Sequence, residues 1–180
     1  ELQKKYKIIG IIDNKKKVGT KIFNYKIIGN DNDLAKIKKC KNVHISIGQI
    51  KTPKKRVNIF NKLKKKNFKF PIIISPLAHV SKNASIKEGT IIFHNSIINA
   101  NAHIGSNTII NNQALIEHDV IIGNNCHIST GSIVNGGTKV GDGTFVGSKA
   151  VLREEIQIGK NCIIGMGKIV KKSCKNNELI

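Results

Sequence analysis

The fold is set by the stretch ALIEHDVIIGNNCHISTGSIV, residues 114–134, in which an aliphatic residue recurs at every sixth position. The same step continues on both sides, without an insertion, from residue 80 to residue 170. Neither the 3.6-residue period of a helix nor the uneven turn spacing of a β-sandwich fits such a repeat. The aliphatic positions are Val80, Ile86, Ile92, Ile98, Ile104, Ile110, Ile116, Ile122, Ile128, Val134, Val140, Val146, Leu152, Ile158, Ile164 and Val170.

A mostly small residue stands two positions before each aliphatic residue, as Ala114 does before Ile116. Residues two apart in a strand point to the same side, so both members of each pair are predicted to face inward. We expect a corner directly after the aliphatic residue, where glycine supplies the dihedrals of a sharp turn. Three six-residue sides make an 18-residue coil, and the repeat predicts a left-handed parallel β-helix. The corner glycines are Gly105, Gly123, Gly141, Gly147, Gly159 and Gly165.

Charge is distributed unevenly along the chain. Residues 1–80 hold 21 Lys/Arg and 4 Asp/Glu, a net charge of +17, whereas residues 81–180 hold 10 and 7, a net charge of +3. A basic region suits nucleic acid, an anionic membrane or a phosphate-bearing small molecule, but no Trp and only two Tyr and six Phe are present for stacking on bases. We expect no nucleic acid and no membrane among the partners, and the sequence shows no apolar run of about 18 residues.

The cysteines and histidines do not predict a metal site. No Cys-x-x-Cys pair occurs, and the four cysteines are expected to be free thiols in a reducing cytoplasm. The histidine spacing does not converge as the three-histidine zinc site of a carbonic-anhydrase-like β-helix would require. The cysteines are Cys40, Cys126, Cys162 and Cys174.

The front half predicts a small α/β domain, residues 1–70, ahead of the β-helix of residues 71–180. Residues 6–13 and 43–48 read as parallel strands, with a short helix over 30–39 between them and another helix after Pro53. This β-α-β-α order is typical of a small Rossmann-like parallel sheet. Ligands of such sheets bind at the carboxyl ends of the strands, which nominates Asp13, Asn14 and Gly48. Alternatively, Asp13 only begins a turn.

Glu117-His118-Asp119 stands out at a predicted corner, just after inward Ile116. A neutral imidazole held by a neighbouring carboxylate is suited to act as a general base toward an amine or hydroxyl. Gly136 lies one coil, or 18 residues, beyond His118, so an exposed amide is expected beside the base, where it would stabilise a thioester oxyanion. The alternative for His118 is an ordinary surface residue at a corner.

His127 directly precedes inward Ile128 and is predicted to point outward from a flat face. His118 and His127 then lie on different sides of a triangular prism and can share one site only if a second subunit contributes. Flat-faced prisms associate symmetrically, and we expect a homotrimer with its sites between subunits. His79 and His103 occupy the same outward slot and are expected to be surface residues.

The sequence resembles the bacterial sugar acyltransferases of the hexapeptide-repeat superfamily. Among them it is most similar to the sialic-acid O-acetyltransferase family and to its relatives that N-acetylate UDP-linked 4-amino-sugars. The resemblance covers nearly the whole chain: Ile11-Ile12-Asp13-Asn14, Ile45-Ser46-Ile47-Gly48, Pro71 to Pro76, Asn111, Glu117-His118-Asp119 with Val120-Ile121-Ile122-Gly123, and His127. Two segments of that family lie outside this match: a first strand with its glycine-rich turn, and a terminal Gly-Asn-Pro-Ala stretch.

The resemblance implies a role for each matched residue. His118 would be the general base and Asp119 would raise its basicity. Acetyl-CoA would contact His127, Gly136, Ser148 and Met166, with lysines such as Lys149, Lys171 and Lys172 near its phosphates. The nucleotide-sugar would contact Asp13, Asn14 and Gly48, while Asn111 would position the acceptor amine or hydroxyl.

The expected function is therefore direct transfer of acetyl from acetyl-CoA to the amino group of a UDP-linked amino-sugar, in a cytoplasmic step of bacterial glycan biosynthesis. Cys126 occupies an inward slot, so a covalent enzyme intermediate is not expected. Two alternatives remain: a sugar or sialic-acid O-acetyltransferase, and a solenoid that serves as a scaffold or binding module.

Overall fold

A computed structural model describes residues 6–34 and 40–180. Contacts between residues divide the chain into two compact units, Glu1–Lys41 and Asn42–Ile180. The segment of residues 42–70 therefore belongs to the same unit as the repeats. No helix in the described ranges is long and apolar enough to span a membrane.

The N-terminal unit contains a three-stranded sheet of β1 (Ile11–Ile12), β2 (Lys21–Ile22) and β3 (Tyr25–Gly29) in the order β1-β3-β2. β1 and β3 are parallel, whereas β2 pairs with β3 as an antiparallel hairpin. β1 thus has a parallel partner, but this partner is β3, and the predicted pairing of residues 6–13 with residues 43–48 is wrong. The helix predicted over 30–39 falls partly on residues 35–39, which lie outside the described residues.

The segment of residues 42–70 carries one helix, α1 (Lys54–Lys64), which begins directly after Pro53 as the sequence predicts. The predicted strand over 43–48 is wrong, because only Asn42 makes a β-bridge, to Lys69. α1 buries Phe60, which packs against Phe70 with ring centroids 4.2 Å apart. Arg56 and Leu63 are the other buried residues of the helix.

Residues 73–170 form a parallel β-helix in which each strand pairs with the strand 18 residues away, as Ile109 does with His127. The strands form three faces. Face 1 consists of β4 (Ile73–Ile74), β7 (Ile91–Ile92), β10 (Ile109–Ile110), β13 (His127–Ile128), β16 (Phe145–Val146) and β19 (Ile163–Ile164). Face 2 consists of β5 (His79–Val80), β8 (Ile97–Ile98), β11 (Leu115–Ile116), β14 (Ile133–Val134), β17 (Val151–Leu152) and β20 (Ile169–Val170). Face 3 consists of β6 (Ser85–Ile86), β9 (His103–Ile104), β12 (Ile121–Ile122), β15 (Lys139–Val140) and β18 (Gln157–Ile158).

The second residue of each strand points into the prism, as predicted, and those from Ile92 to Val170 are buried. The small residues two positions earlier join them, and their hydroxyls are satisfied by main-chain carbonyls. Thr90, for example, donates to the oxygen of Gly105 at 2.7 Å. Each coil therefore adds an aliphatic layer and leaves few unsatisfied polar groups in the core.

The physical reason predicted for the corner glycines is wrong. Positive φ falls on the third residue after the inward aliphatic residue, as at Asn101, Asp119 and Gly137. Glycine is required directly after the aliphatic residue for a different reason, because the backbones of neighbouring coils approach each other too closely there to leave room for a Cβ. A Cβ on Gly105 would lie 2.5 Å from the carbonyl carbon of Gly123 in the next coil.

Candidate active site

His118 and Asp119 form a hydrogen-bonded pair at the corner between faces 2 and 3. His118 Nδ1 lies 2.8 Å from Asp119 Oδ2. The other carboxylate oxygen of Asp119 accepts a hydrogen bond of 2.7 Å from the amide of Asn101, one coil earlier. Asp119 has a φ of 61°, a left-handed conformation that Asp and Asn tolerate better than most residues, and it turns the carboxylate back toward the imidazole. The corner therefore holds the imidazole in one orientation.

The electrostatics of this pair suit a base. The hydrogen bond that His118 donates to the carboxylate of Asp119 raises the pKa of His118 above its ordinary value. The pKa of Asp119 is lowered, first by the hydrogen bond from Asn101 and then by that from His118. The side chain of His118 is 65% exposed, and in the described part of the chain no group bonds to its Nε2. That nitrogen is free to take a proton from an incoming acceptor.

Gly136 lies over the imidazole, as the 18-residue step predicts. A Cβ at this position would stand 2.8 Å from both Cε1 and Nε2 of His118. The absence of a side chain therefore leaves room for the ring. An open groove of about 560 Å³ runs along this corner, and its lining comprises Glu117, His118, Asp119, Asn135, Gly136, Gly137, Glu154 and Glu155.

In some coils of the solenoid, the main-chain N–H of the second residue after the inward aliphatic residue is capped, which means that it donates to a side chain in the next coil. The amide of Ser106 donates to the side chain of Asn124, and the amide of Asn124 donates to Asp142, each one coil later. The residue one coil beyond His118 is Gly136, which has no side chain to accept. Within the described residues, the amide of His118 is therefore left uncapped.

The amide of Gly136 is also uncapped among the described residues. The residue one coil beyond it is Glu154, whose carboxylate instead accepts from Arg153 at 2.9 Å. Two neighbouring main-chain N–H groups, in residues that line the groove, therefore have no acceptor among the described residues. Such donors stabilise an oxyanion.

Sequence reasoning missed part of the groove lining. Asn135 stands 18 residues beyond Glu117, and Glu154 and Glu155 stand 36 residues beyond His118 and Asp119. The coil period predicts these positions once the corner is chosen. They give the groove an acidic wall in a chain whose net charge is +20.

His127 points outward from face 1 as predicted, but it is covered and only 9% exposed. Its Nδ1 lies 2.8 Å from the carbonyl oxygen of Gln49, and its ring meets Phe145 edge-on at 5.3 Å. Burial lowers the pKa of His127, and the charge of Arg56 lowers it further against the opposing effect of the Gln49 carbonyl. His127 is therefore a neutral imidazole in an enclosed place, unlike His118.

Asn111, Ser148 and Met166 lie at the corner between faces 1 and 2. The Nδ2 atom of Asn111 lies 3.5 Å from His127 Nε2, and its Oδ1 accepts from the amide of Asn112 at 2.8 Å. Ser148 bonds to the hydroxyl of Ser129 at 2.9 Å, and Met166 is 82% exposed. This corner lies at the opposite edge of face 2 from His118.

The predicted nucleotide-sugar residues are distributed over both units. Asp13 accepts hydrogen bonds from the amides of Lys15 and Lys16 at 2.7 and 3.0 Å, which lower its pKa, so it does begin a turn. Asn14 exchanges two hydrogen bonds with Asp31. Gly48 belongs to the second unit and is exposed, with open space where a Cβ would stand.

The outward side of face 2 is an apolar stripe that separates the two corners. Its residues stack one per coil, and Ile97 and Ile169 are 41% and 68% exposed. An apolar stripe on a flat face is a common sign of subunit association. The outward residues from the second strand to the last are Ile97, Leu115, Ile133, Val151 and Ile169.

Residues 6–34 and 40–180 contain no group of three or more His, Cys, Asp or Glu side chains placed to hold a metal ion. The cysteines are free thiols, and burial raises the pKa of Cys126 to about 12. The thiol of Cys126 is thus protonated at neutral pH.

Two family models match the chain. The model of the PglD N-terminal domain matches residues 1–63, and that of the bacterial transferase hexapeptide (six repeats) matches residues 101–136 and 137–172. The β-helix, its acid–base corner and these matches define a hexapeptide-repeat acyltransferase. More narrowly, the N-terminal part of the chain matches the PglD type, and the resemblance to the hexapeptide-repeat sugar acyltransferases seen in the sequence is confirmed. No curated protein sequence matches it.

Solved structures share the fold over most of the chain. A variant of perosamine N-acetyltransferase from Caulobacter crescentus, in complex with CoA and GDP-perosamine, is 26% identical with a TM-score of 0.88, over 94% of this chain and 80% of that one. WeeI from Acinetobacter baumannii AYE is 25% identical with a TM-score of 0.84, over 93% and 79%. The acetyltransferase domain of PglB from Neisseria gonorrhoeae, in complex with acetyl coenzyme A, is 22% identical with a TM-score of 0.92, over 99% and 85%, and shares the fold.

Proposed function

We propose that this chain transfers an acetyl group from acetyl-CoA to the amino group of a nucleotide-linked amino-sugar, with His118 as the general base. The observation that carries the proposal is the His118–Asp119 pair in an open groove, beside the uncapped amide of Gly136. A base, an oxyanion donor and room for two substrates are the parts that acyl transfer needs.

In the proposed reaction, the neutral amine attacks the carbonyl carbon of the thioester while Nε2 of His118 takes a proton from the attacking nitrogen. The carbonyl oxygen becomes an oxyanion and accepts a hydrogen bond from the amide of Gly136. The carbon–sulfur bond then breaks, and His118 returns its proton to the CoA thiolate. The products are an N-acetylated sugar and CoA, and Asp119 stabilises the imidazolium while it exists.

The charge of the groove favours an amine as the acceptor. Glu117, Asp119, Glu154 and Glu155 line it, and an acidic wall attracts a protonated amino-sugar and repels an anionic acceptor such as a sialic acid. The perosamine N-acetyltransferase that shares this fold is also an N-acetylating enzyme by its name. N-transfer is therefore the first choice, and O-transfer to a sugar without a nucleotide is the second.

The family resemblance supports the assignment of the remaining residues. We assign Asp13, Asn14 and Gly48, in a nucleotide-sugar-binding part of residues 1–70, to a UDP-sugar, and Asn111 to the acceptor. His127, Gly136, Ser148 and Met166 are assigned to acetyl-CoA. Lys149, Lys171 and Lys172 are exposed and suit the CoA phosphates.

The proposed assembly is a homotrimer in the cytoplasm. Within one chain, face 2 separates the corner of His118 from the corner of Asn111, Ser148 and Met166. Packing the apolar stripe of face 2 against a neighbouring subunit would bury it and bring two different corners together. The site would then lie between subunits.

The experiment is calorimetry of the purified protein with acetyl-CoA, UDP, GDP and CMP, followed by mass spectrometry of products formed from nucleotide-linked amino-sugars. Binding of acetyl-CoA and UDP together with an N-acetylated product would support the proposal. Acetyl-CoA binding without any nucleotide, with an O-acetylated product, would select the O-acetyltransferase. A protein that binds none of them would be a scaffold.

A further inference from the structure

Arg56 is a buried cation that anchors the segment of residues 42–70 to the solenoid. It is only 1% exposed, and in the described part of the chain no carboxylate pairs with it. Its guanidinium donates instead to main-chain carbonyls at the corner between faces 3 and 1, namely those of Asn107, Asn125 at 2.9 Å and Cys126 at 3.4 Å. Burial without a carboxylate lowers the pKa of Arg56 to about 10.

The remaining partner of Arg56 is the side chain of Gln49. Arg56 Nη2 donates to Gln49 Oε1 at 2.6 Å, and Gln49 Nε2 donates to the carbonyl of Gly143 at 2.8 Å. Both ends of this amide are therefore fixed between the helix and the solenoid. The main-chain carbonyl of Gln49 is in turn the acceptor that lies 2.8 Å from His127 Nδ1.

A carbonyl oxygen only accepts, so the proton of neutral His127 is on Nδ1 and its Nε2 is left as an acceptor. That Nε2 faces the amide nitrogen of Asn111 at 3.5 Å. The oxygen of the same amide is occupied by the N–H of Asn112. The contacts thus form one continuous chain from Arg56 to Asn111.

We propose that Arg56 and Gln49 are positioning residues for acetyl transfer: they hold His127 in a single tautomer and, through it, fix the side chain of Asn111 toward the acceptor. The proposal rests on the function proposed above, because Asn111 is assigned to the acceptor there. Neither residue touches the reacting atoms. A purely structural role would predict the same anchoring of α1 without any effect on His127 or Asn111.

The test compares Gln49→Ala and Arg56→Lys with Lys55→Ala, an exposed neighbour on the same helix, as the matched control. Nitrogen-15 NMR of the histidine side chains at neutral pH reads the tautomer of His127 without any need for activity. The wild type should show Nδ1 protonated and Nε2 bare. Both variants keep the main-chain carbonyl of residue 49 but lose contacts that hold it in place, so both should show a mixture of tautomers. Gln49→Ala leaves Arg56 its three carbonyl partners, so this variant carries the test if Arg56→Lys does not fold.

Kinetics supply the second measurement. Gln49→Ala should lower kcat or raise KM for the acceptor by about tenfold, the size of one hydrogen bond between Asn111 and the acceptor. In an Asn111→Ala background the same change should have less than about a twofold further effect, because the two residues act through one contact. Additive effects in that double mutant, or an Nε2-protonated His127 in the wild type, would overturn the proposal. A wild type with the expected tautomer but no transfer would instead refute the proposed function.

Discussion

His118 and His127 lie nine residues apart in the same repeat, yet their surroundings give them opposite properties. His118 sits at an exposed corner with a carboxylate at 2.8 Å, which raises its pKa. His127 sits beneath Gln49 with a carbonyl at 2.8 Å, and its burial lowers its pKa. The solenoid places His118 at a corner and His127 on the outward side of face 1. Local burial and the nature of the partner oxygen therefore shift the pKa values of the two imidazoles in opposite directions.

The largest effect is expected when the exposed imidazole is removed. His118→Ala should lower kcat by about 10²–10⁴-fold, the range of general-base catalysis, because the group that takes the proton from the attacking amine is removed. Thermal unfolding should be unchanged, since the ring makes no packing contact in the core. The control is His94→Ala, which removes another exposed histidine; full activity in His118→Ala would contradict the assignment of the base.

A smaller loss should follow from filling the space above the base. Gly136→Ala places a methyl group 2.8 Å from Nε2 of His118, so the ring must move. A misplacement of about 1 Å costs up to about 10²-fold in rate. The comparison is Ala100→Gly, which changes the residue one coil on the other side of His118. If steady-state kinetics show equal rates for the two variants, the absence of a side chain at Gly136 is not needed for catalysis.

The enclosed histidine should matter more for stability than the exposed one. His127→Ala leaves the carbonyl of Gln49 without its donor and removes the contact with Phe145, at a cost of about 1–3 kcal/mol in the free energy of unfolding. His118→Ala should change that free energy by less than about 0.5 kcal/mol. Urea denaturation of the two variants measures both, and equal losses would show that the contrast in burial has no energetic consequence.

The smallest effect concerns pH. Asp119 raises the pKa of His118, so Asp119→Asn should let that pKa fall toward its ordinary value. The base is active when neutral, so the acid limb of the kcat/KM profile should move to lower pH, while the plateau drops by roughly tenfold because the imidazole is a weaker and less well oriented base. A limb that stays in place would show that Asp119 does not set the basicity of His118.

The sequence was sufficient to predict the repeat and the corner of His118, because both follow from a strict period. An 18-residue step places Gly136 over His118 without knowledge of any long-range contact. The same step would also have found Glu154 and Glu155. Periodicity alone did not predict why the corners need glycine. At Gly105 a side chain is excluded by the backbone of the next coil and not by the dihedral angles of Gly105 itself.

Contacts outside the period could not be predicted. His127 reads as an outward residue, and its burial depends on how residues 42–70 return over face 1. Arg56 is hidden among the lysines of α1, and only its neighbours in space show that it is buried. The predicted strand over 43–48 failed for a related reason, because its alternating pattern fits extended chain that packs on the solenoid without joining a sheet.

The separation of the two corners by face 2 has a consequence for mixtures of two impaired variants. If each site takes His118 from one subunit and Asn111 from the next, trimers assembled from both His118→Ala and Asn111→Ala chains will contain some sites in which neither residue is altered. Random assembly from equal amounts would restore about a quarter of the sites. Two preparations that each have low activity should therefore regain activity when they are unfolded and refolded together.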